Sequence, residues 1–232
     1  MQSEEEFRRK YETQVLPYYR SGRFEAFSGV GGLEIRTVAF EKENSSGAVV
    51  ILPGKSETYL KYAEFFCDMR ELPLSLYAMD HRGMGFSERP LPDRMKMHVE
   101  RFDHYIDDVG TFLRAVVGAE KHKRLFALGH STGALVAVLF MERYPDIFQA
   151  GVLCSPFFEL AMGPLPGFVT RLISRLLDSP GRRKEYGPGQ RNIKRPDFPH
   201  NRITSSFPRW SVWEQEIIPN IEAIQFGGVT NH

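Results

Sequence analysis

Four short apolar runs constrain the fold of this chain more than any other feature. They are residues 48–53 (Ala-Val-Val-Ile-Leu-Pro), 74–80 (Leu-Ser-Leu-Tyr-Ala-Met-Asp), 125–129 (Leu-Phe-Ala-Leu-Gly) and 150–154 (Ala-Gly-Val-Leu-Cys). Runs of this length, apolar almost throughout, suit strands, and residues 48–53 are of the kind buried on both faces. Between them lie stretches with helical spacing of apolar residues. Residues 59–71 carry Tyr59, Tyr62, Phe65, Phe66 and Met69, and residues 102–117 carry Tyr105, Ile106, Val109, Phe112, Leu113 and Val116. Residues 134–143 are rich in helix formers. Strand and helix in strict alternation predict an α/β fold, a mostly parallel sheet with right-handed crossovers and flanking helices. Residues 33–40 alternate and predict a further, half-buried strand. Residues 4–20 predict an amphipathic helix on the domain surface, with Phe7, Tyr11, Val15 and Tyr18 or Tyr19 facing inward.

In a parallel sheet, ligands sit beyond the carboxyl ends of the strands. Every conspicuous local motif falls there. Pro53-Gly54-Lys55-Ser56-Glu57 follows the first run, and Asp80-His81-Arg82-Gly83-Met84-Gly85-Phe86-Ser87 follows the second. Gly129-His130-Ser131-Thr132-Gly133 follows the third and fits G-x-S-x-G between a strand and a helix. That order suits a nucleophile elbow, a sharp turn that exposes a serine hydroxyl. Gly129 and Gly133 are expected where a Cβ would collide with a neighbouring strand or helix. Ser131 is the candidate nucleophile. The backbone amide of Thr132 is one candidate oxyanion donor, at the positive end of the next helix. The backbone amide of Lys55 is the second, with Gly54 allowing close approach.

Composition narrows the function. The chain has 232 residues, 42% hydrophobic and 25% charged, with a net charge of +1. Near neutrality argues against a nucleic-acid binder driven by bulk electrostatics. Two cysteines, Cys67 and Cys154, make neither a disulfide framework nor a metal site, and they suit a reducing compartment. The acidic N-terminus has no apolar core of a secretory signal, and no run reaches membrane-spanning length. No cofactor is expected.

Past Ser155 the pattern changes. Residues 165–177 read as an amphipathic helix, and 181–196 form a basic stretch rich in Gly and Pro. Residues 212–224 read as helical, and no strand of the earlier kind returns. The expected organisation is a core over 1–155 and a helical cap over 156–232.

These stretches together resemble the α/β-hydrolase superfamily, and within it the lysophospholipase and monoacylglycerol lipase group. The resemblance is carried by residues 53–64, 80–87, 98–108 and 129–133, with Asn201-Arg-Ile-Thr-Ser205 and Gly227-Gly-Val-Thr230 in the cap. It covers essentially residues 25–232. It implies hydrolysis of a single acyl ester, from a lysophospholipid or another monoacyl lipid, with neither metal nor organic cofactor. In that family the acid and histidine of the triad follow the cap, after two further strands. The expectation is therefore that the C-terminal strands of the core and both partners lie outside this chain, and that the chain as given is poorly stable or close to inactive.

No substitute for the missing pair is assigned. His130 is the x residue of the elbow and faces the wrong way for a base. His81 is the nearest stand-in, read as a structural loop histidine. Asp80 is expected to fix its loop, and Asp107 and Asp108 to lie on a solvated helix face. Arg171 and Arg175, with Arg182, Arg183, Lys184, Arg191, Lys194 and Arg195, offer a basic surface for an anionic membrane, on the cytoplasmic side. The alternatives are a monoacylglycerol lipase or general carboxylesterase, and a non-catalytic lipid-binding remnant.

Overall fold

The computed structural model describes residues 3–156, 158, 169, 175–176, 181–187, 189–192, 197–201, 203–225 and 227–230. Six strands form one sheet: β1 (Arg23–Ser28), β2 (Glu34–Phe40), β3 (Gly47–Leu52), β4 (Leu74–Met79), β5 (Leu125–His130) and β6 (Ala150–Cys154). Their order is β1-β2-β4-β3-β5-β6. The β3–β4, β3–β5 and β5–β6 pairs are parallel, whereas β1–β2 and β2–β4 are antiparallel. The four apolar runs thus form the parallel part, joined by helices α2 (59–71), α3 (103–117) and α4 (Thr132–Arg143).

The continuous apolar character of β3 follows from its place at the centre, where all six of its residues are buried. Its side chains alternate between two cores. Ala48, Val50 and Leu52 meet α3 and α4 through Val109, Phe112, Val136 and Phe140. Val49 and Ile51 join the opposite core, with Phe66 of α2 and the buried face of helix α1 (4–20). On α1, Phe7, Tyr11, Val15 and Tyr19 recur every fourth residue and are buried, so Tyr19 rather than Tyr18 completes the stripe. A capping box starts α1, in which the Glu6 amide donates to Ser3 Oγ and the Ser3 amide to the Glu6 carboxylate.

Two features depart from expectation. Strand β1 adds an antiparallel edge at Arg23–Ser28, where only Phe27 is buried. An edge strand with one inward side chain carries almost no period-two signal. Asp108 is not solvated. It is fully buried and receives two hydrogen bonds from the Arg82 guanidinium, at 2.7 and 2.8 Å, and a third from the Val30 amide at 2.9 Å. Asp107 does face outward, paired with Arg143 at 3.1 Å.

Beyond β6, helix α5 (207–220) lies against α1. Arg8 reaches Glu216 and Ser211, and Arg209 forms a fork with the Glu64 carboxylate at 2.7 and 2.8 Å. Residues 227–230 pair with the loop after β4 through a Met97–Val229 bridge and a 2.8 Å contact between His98 Nδ1 and Thr230 Oγ1. The expected 165–177 helix lies outside the described residues apart from Val169, Arg175 and Leu176. Among the described residues β6 is an edge of the sheet, with Val152 61% exposed.

Candidate active site

The loops at the carboxyl ends of β3, β4, β5 and β6 converge. The chain leaves β5 at His130 and enters α4 at Thr132, with Ser131 alone between them. Ser131 has φ 50° and ψ −114°, a region that non-glycine residues rarely occupy and that persists only where surroundings enforce it. The enforcement is visible. The Ser131 amide donates to the Cys154 carbonyl at 2.9 Å, and the Ser131 carbonyl accepts the Leu135 amide at 3.1 Å.

Glycine flanks the turn because nothing larger fits. A Cβ on Gly129 would stand 2.5 Å from Ala134 Cα. A Cβ on Gly133 would stand 2.0 Å from the Leu52 carbonyl oxygen and 2.4 Å from that of Pro53. Helix α4 therefore starts in direct contact with the end of β3. Its leading amides, that of Thr132 first, have no acceptor within the helix.

The turn after β3 packs on the same elbow. A Cβ on Gly54 would lie 2.9 Å from His130 Nδ1 and 3.0 Å from Glu57 Oε2. Lys55, the next residue, keeps an exposed side chain, while desolvation by the protein around its ammonium lowers its pKa from the usual lysine value. Ser56 has φ 62° and its hydroxyl donates to Met97 Sδ at 3.3 Å. Glu57 is buried. Its Oε2 accepts the Gly54 amide at 2.7 Å, His130 Nδ1 at 3.0 Å and the Tyr62 hydroxyl at 3.0 Å, while Oε1 takes Lys61. The sequence alone assigns Glu57 no role. Its one local signal is the spacing of three from Gly54, which lets a carboxylate bond back onto that amide.

Asp80 is fully buried at the end of β4. It accepts the Tyr59 amide at 2.6 Å, the Phe86 amide at 2.7 Å and the Thr58 hydroxyl at 2.9 Å. Complete burial raises it to about 7, against those three donors. The carboxylate thus ties the start of α2 to the loop after β4. Gly85, at φ +51°, is needed there because a Cβ would fall 2.0 Å from Asp80 Oδ2.

His81 is equally buried, edge-on to the Tyr105 ring at 5.3 Å, and neither ring nitrogen has a hydrogen-bond partner. Burial pulls it down to about 4, opposed by the nearby Pro53 carbonyl. Among the described residues no histidine is hydrogen-bonded to Ser131. His130 turns to Glu57, His122 to Tyr77 and His200 to Asp197. His232 lies outside the described residues. Beside the elbow, a largely apolar cavity of about 580 Å³ opens between α2 and α5, lined by Leu128, His130, Cys154, Tyr62, Trp210 and Trp213 among others.

The strand order, the crossover helices and the strained serine between β5 and α4 define an α/β hydrolase. A carboxyl esterase from Bacillus coagulans has the same fold, with a TM-score of 0.60 at 18% identity over 72% of this chain and 54% of that one. The chain belongs to the hydrolase family described as serine aminopeptidase, S33, whose model matches residues 43–200. It is similar to lysophospholipase L2 of Escherichia coli K12, 32% identical over 94% of this chain and 64% of the relative. It is also similar to a probable lysophospholipase L2 of Haemophilus influenzae, at 26% over 94% and 68%. A monoacylglycerol lipase of Mycolicibacterium smegmatis is 29% identical over 62% of this chain and 50% of its own. The chain therefore spans about two thirds of the length of the curated relatives it matches most fully.

Proposed function

We propose that the chain is a carboxylic ester hydrolase acting on the acyl ester of lysophospholipids, with Ser131 as the nucleophile that forms an acyl-enzyme. The observation that carries this reading is the Ser131 backbone, held at φ 50° at the head of α4. An acyl transfer needs a nucleophile flanked by donors for the oxyanion. The amides of Thr132 and Lys55 supply them in this reading, one from the start of α4 and one from the turn that packs on the elbow. Relatives named lysophospholipase and monoacylglycerol lipase support a single-tailed lipid as substrate. The apolar cavity next to His130 suits a hydrocarbon chain. Monoacylglycerol is the second substrate class, and a non-catalytic lipid-binding remnant is the reading of another kind.

Residues 1–155 serve in this reading as the core and 156–232 as a cap over it. No histidine bonded to Ser131 is described, and a serine without a base is a weak nucleophile. The chain by itself is therefore proposed to turn over slowly. The test is fluorophosphonate labelling of the purified chain with peptide mapping, alongside hydrolysis of lysophosphatidylcholine, lysophosphatidylethanolamine and monoacylglycerol. The label is expected on Ser131, with the lysophospholipids preferred. Absence of label from Ser131 overturns the nucleophile, and preference for monoacylglycerol overturns the substrate.

Among the described residues no helix is long and apolar enough to cross a membrane. Peripheral contact with an anionic membrane, on the cytoplasmic face, belongs to the same proposal. It rests on the basic residues past Ser155, of which Arg175, Arg182, Lys184 and Arg191 are described and exposed, while Arg171, Lys194 and Arg195 lie outside the described residues. Liposome flotation is expected to carry more protein with anionic than with neutral vesicles, and equal flotation overturns it.

A further inference from the structure

We propose that Glu57 is a positioning residue for the oxyanion site: its carboxylate fastens the turn after β3 to the elbow, so that the Lys55 and Thr132 amides address one oxygen. The inference rests on the reading of Ser131 as nucleophile. One atom, Glu57 Oε2, binds the amide of Gly54 and the ring of His130. Gly54 immediately precedes Lys55, and His130 immediately precedes Ser131. The two halves of the proposed site, 73 residues apart where Glu57 meets His130, are thus joined through a single oxygen.

Packing alone does not call for a charge at this point. A buried carboxylate is costly unless donors surround it, and an apolar side chain would fill the same space without that cost. Glu57 is surrounded by donors from three elements. They are the turn at Gly54, the end of β5 at His130, and the first turns of α2 at Lys61 and Tyr62. Because a carboxylate only accepts, His130 must present Nδ1–H to it, which fixes the tautomer and the ring plane. That ring packs against the turn, since a Cβ on Gly54 would stand 2.9 Å from His130 Nδ1.

Glu57 does not itself serve as the base for Ser131. Burial alone would raise its pKa, but the Lys61 charge, the Gly54 amide and His130 carry it below the ordinary glutamate value. A carboxylate held so firmly in its charged form is a poor proton acceptor. Its role is to hold geometry, and misplacing a catalytic group by about 1 Å costs on the order of 100-fold in rate.

The test measures fluorophosphonate labelling of Ser131 against probe concentration, separating the limiting rate from the apparent dissociation constant. Glu57→Ala is expected to lower the limiting rate about 100-fold with the dissociation constant little changed. Glu57→Gln keeps an acceptor for Gly54 and is expected to recover to within about 10-fold of wild type. Tyr77→Phe is the stability control. It removes hydrogen bonds to Glu41 and His122, outside the proposed site, and leaves the labelling rate unchanged. Wild-type labelling by Glu57→Ala overturns the proposal. So does an equal rate loss in Tyr77→Phe at a matched melting shift, or a loss confined to the dissociation constant. A wild-type chain that never labels at Ser131 overturns the nucleophile itself, and the inference with it.

Discussion

Replacing Gly133 with alanine is expected to abolish most Ser131 labelling and to destabilise the fold. The added Cβ would stand 2.0 Å from the Leu52 carbonyl oxygen and 2.4 Å from that of Pro53. Both obstacles are backbone, and the first belongs to the central strand, fully buried and paired on both sides. Neither can rotate aside as a side chain would. Relief requires α4 to lift off β3 or the end of β3 to recede, and either movement separates Thr132 from the turn that holds Lys55. Overpacking of this kind costs typically about 1–3 kcal/mol and occasionally more. Loss of one oxyanion donor costs about 100–1000-fold in rate. The measurement is the labelling rate of the folded fraction, with urea denaturation beside it. Gly181→Ala is the matched control, because nothing lies within 4 Å of its Cβ, and it is expected to change neither quantity. A Gly133→Ala protein that labels at the wild-type rate would show that the close approach of α4 to β3 is not what sets the site.

The same contact explains which parts of the molecule were legible in the sequence. The strands β3, β4 and β5 announce themselves because burial on both faces demands a continuous apolar run, a property contained within six residues. The requirement for glycine at 129 and 133 is similarly local in origin, since any sharp strand-to-helix turn needs it. What Gly133 touches is not local, because Leu52 comes 81 positions earlier in the chain. Glu57 shows the boundary most clearly. Its bond to Gly54 spans three residues and leaves a trace in the spacing, but its bond to His130 spans 73 and leaves none. Strand β1 is illegible in the sequence for a different reason. As an edge it buries only Phe27, so its sequence has little need to alternate.

The burial of Asp108 leaves no trace in the sequence, because helical periodicity records only whether a position is polar. Its partner, Arg82, lies 26 residues away in the loop after β4. That loop begins at Asp80 and His81, next to the proposed site, so the pair matters beyond its own contacts.

Arg82→Met is expected to cost about 3–5 kcal/mol, because it leaves a fully buried carboxylate without its counter-charge. The Val30 amide is the remaining donor to Asp108, and Gly29 packs so closely that its Cβ would lie 2.6 Å from Asp108 Oδ1. The carboxylate has no exposed surface through which water could replace the lost guanidinium. A loss of that size is a large part of the roughly 5–15 kcal/mol that holds an ordinary domain together. The double variant Arg82→Met, Asp108→Leu is expected to recover most of the loss, since an apolar pair of similar volume avoids the desolvation cost of both charges. The check is a double-mutant cycle by urea denaturation. If the single variant loses less than about 1 kcal/mol, the pair is worth no more than a surface ion pair, and burial at the α3 flank is not what holds it. If the single variant loses the expected amount and the double variant restores it, the carboxylate at 108 is tolerated only through Arg82. The loop after β4 is then held to α3 by charge pairing rather than by packing.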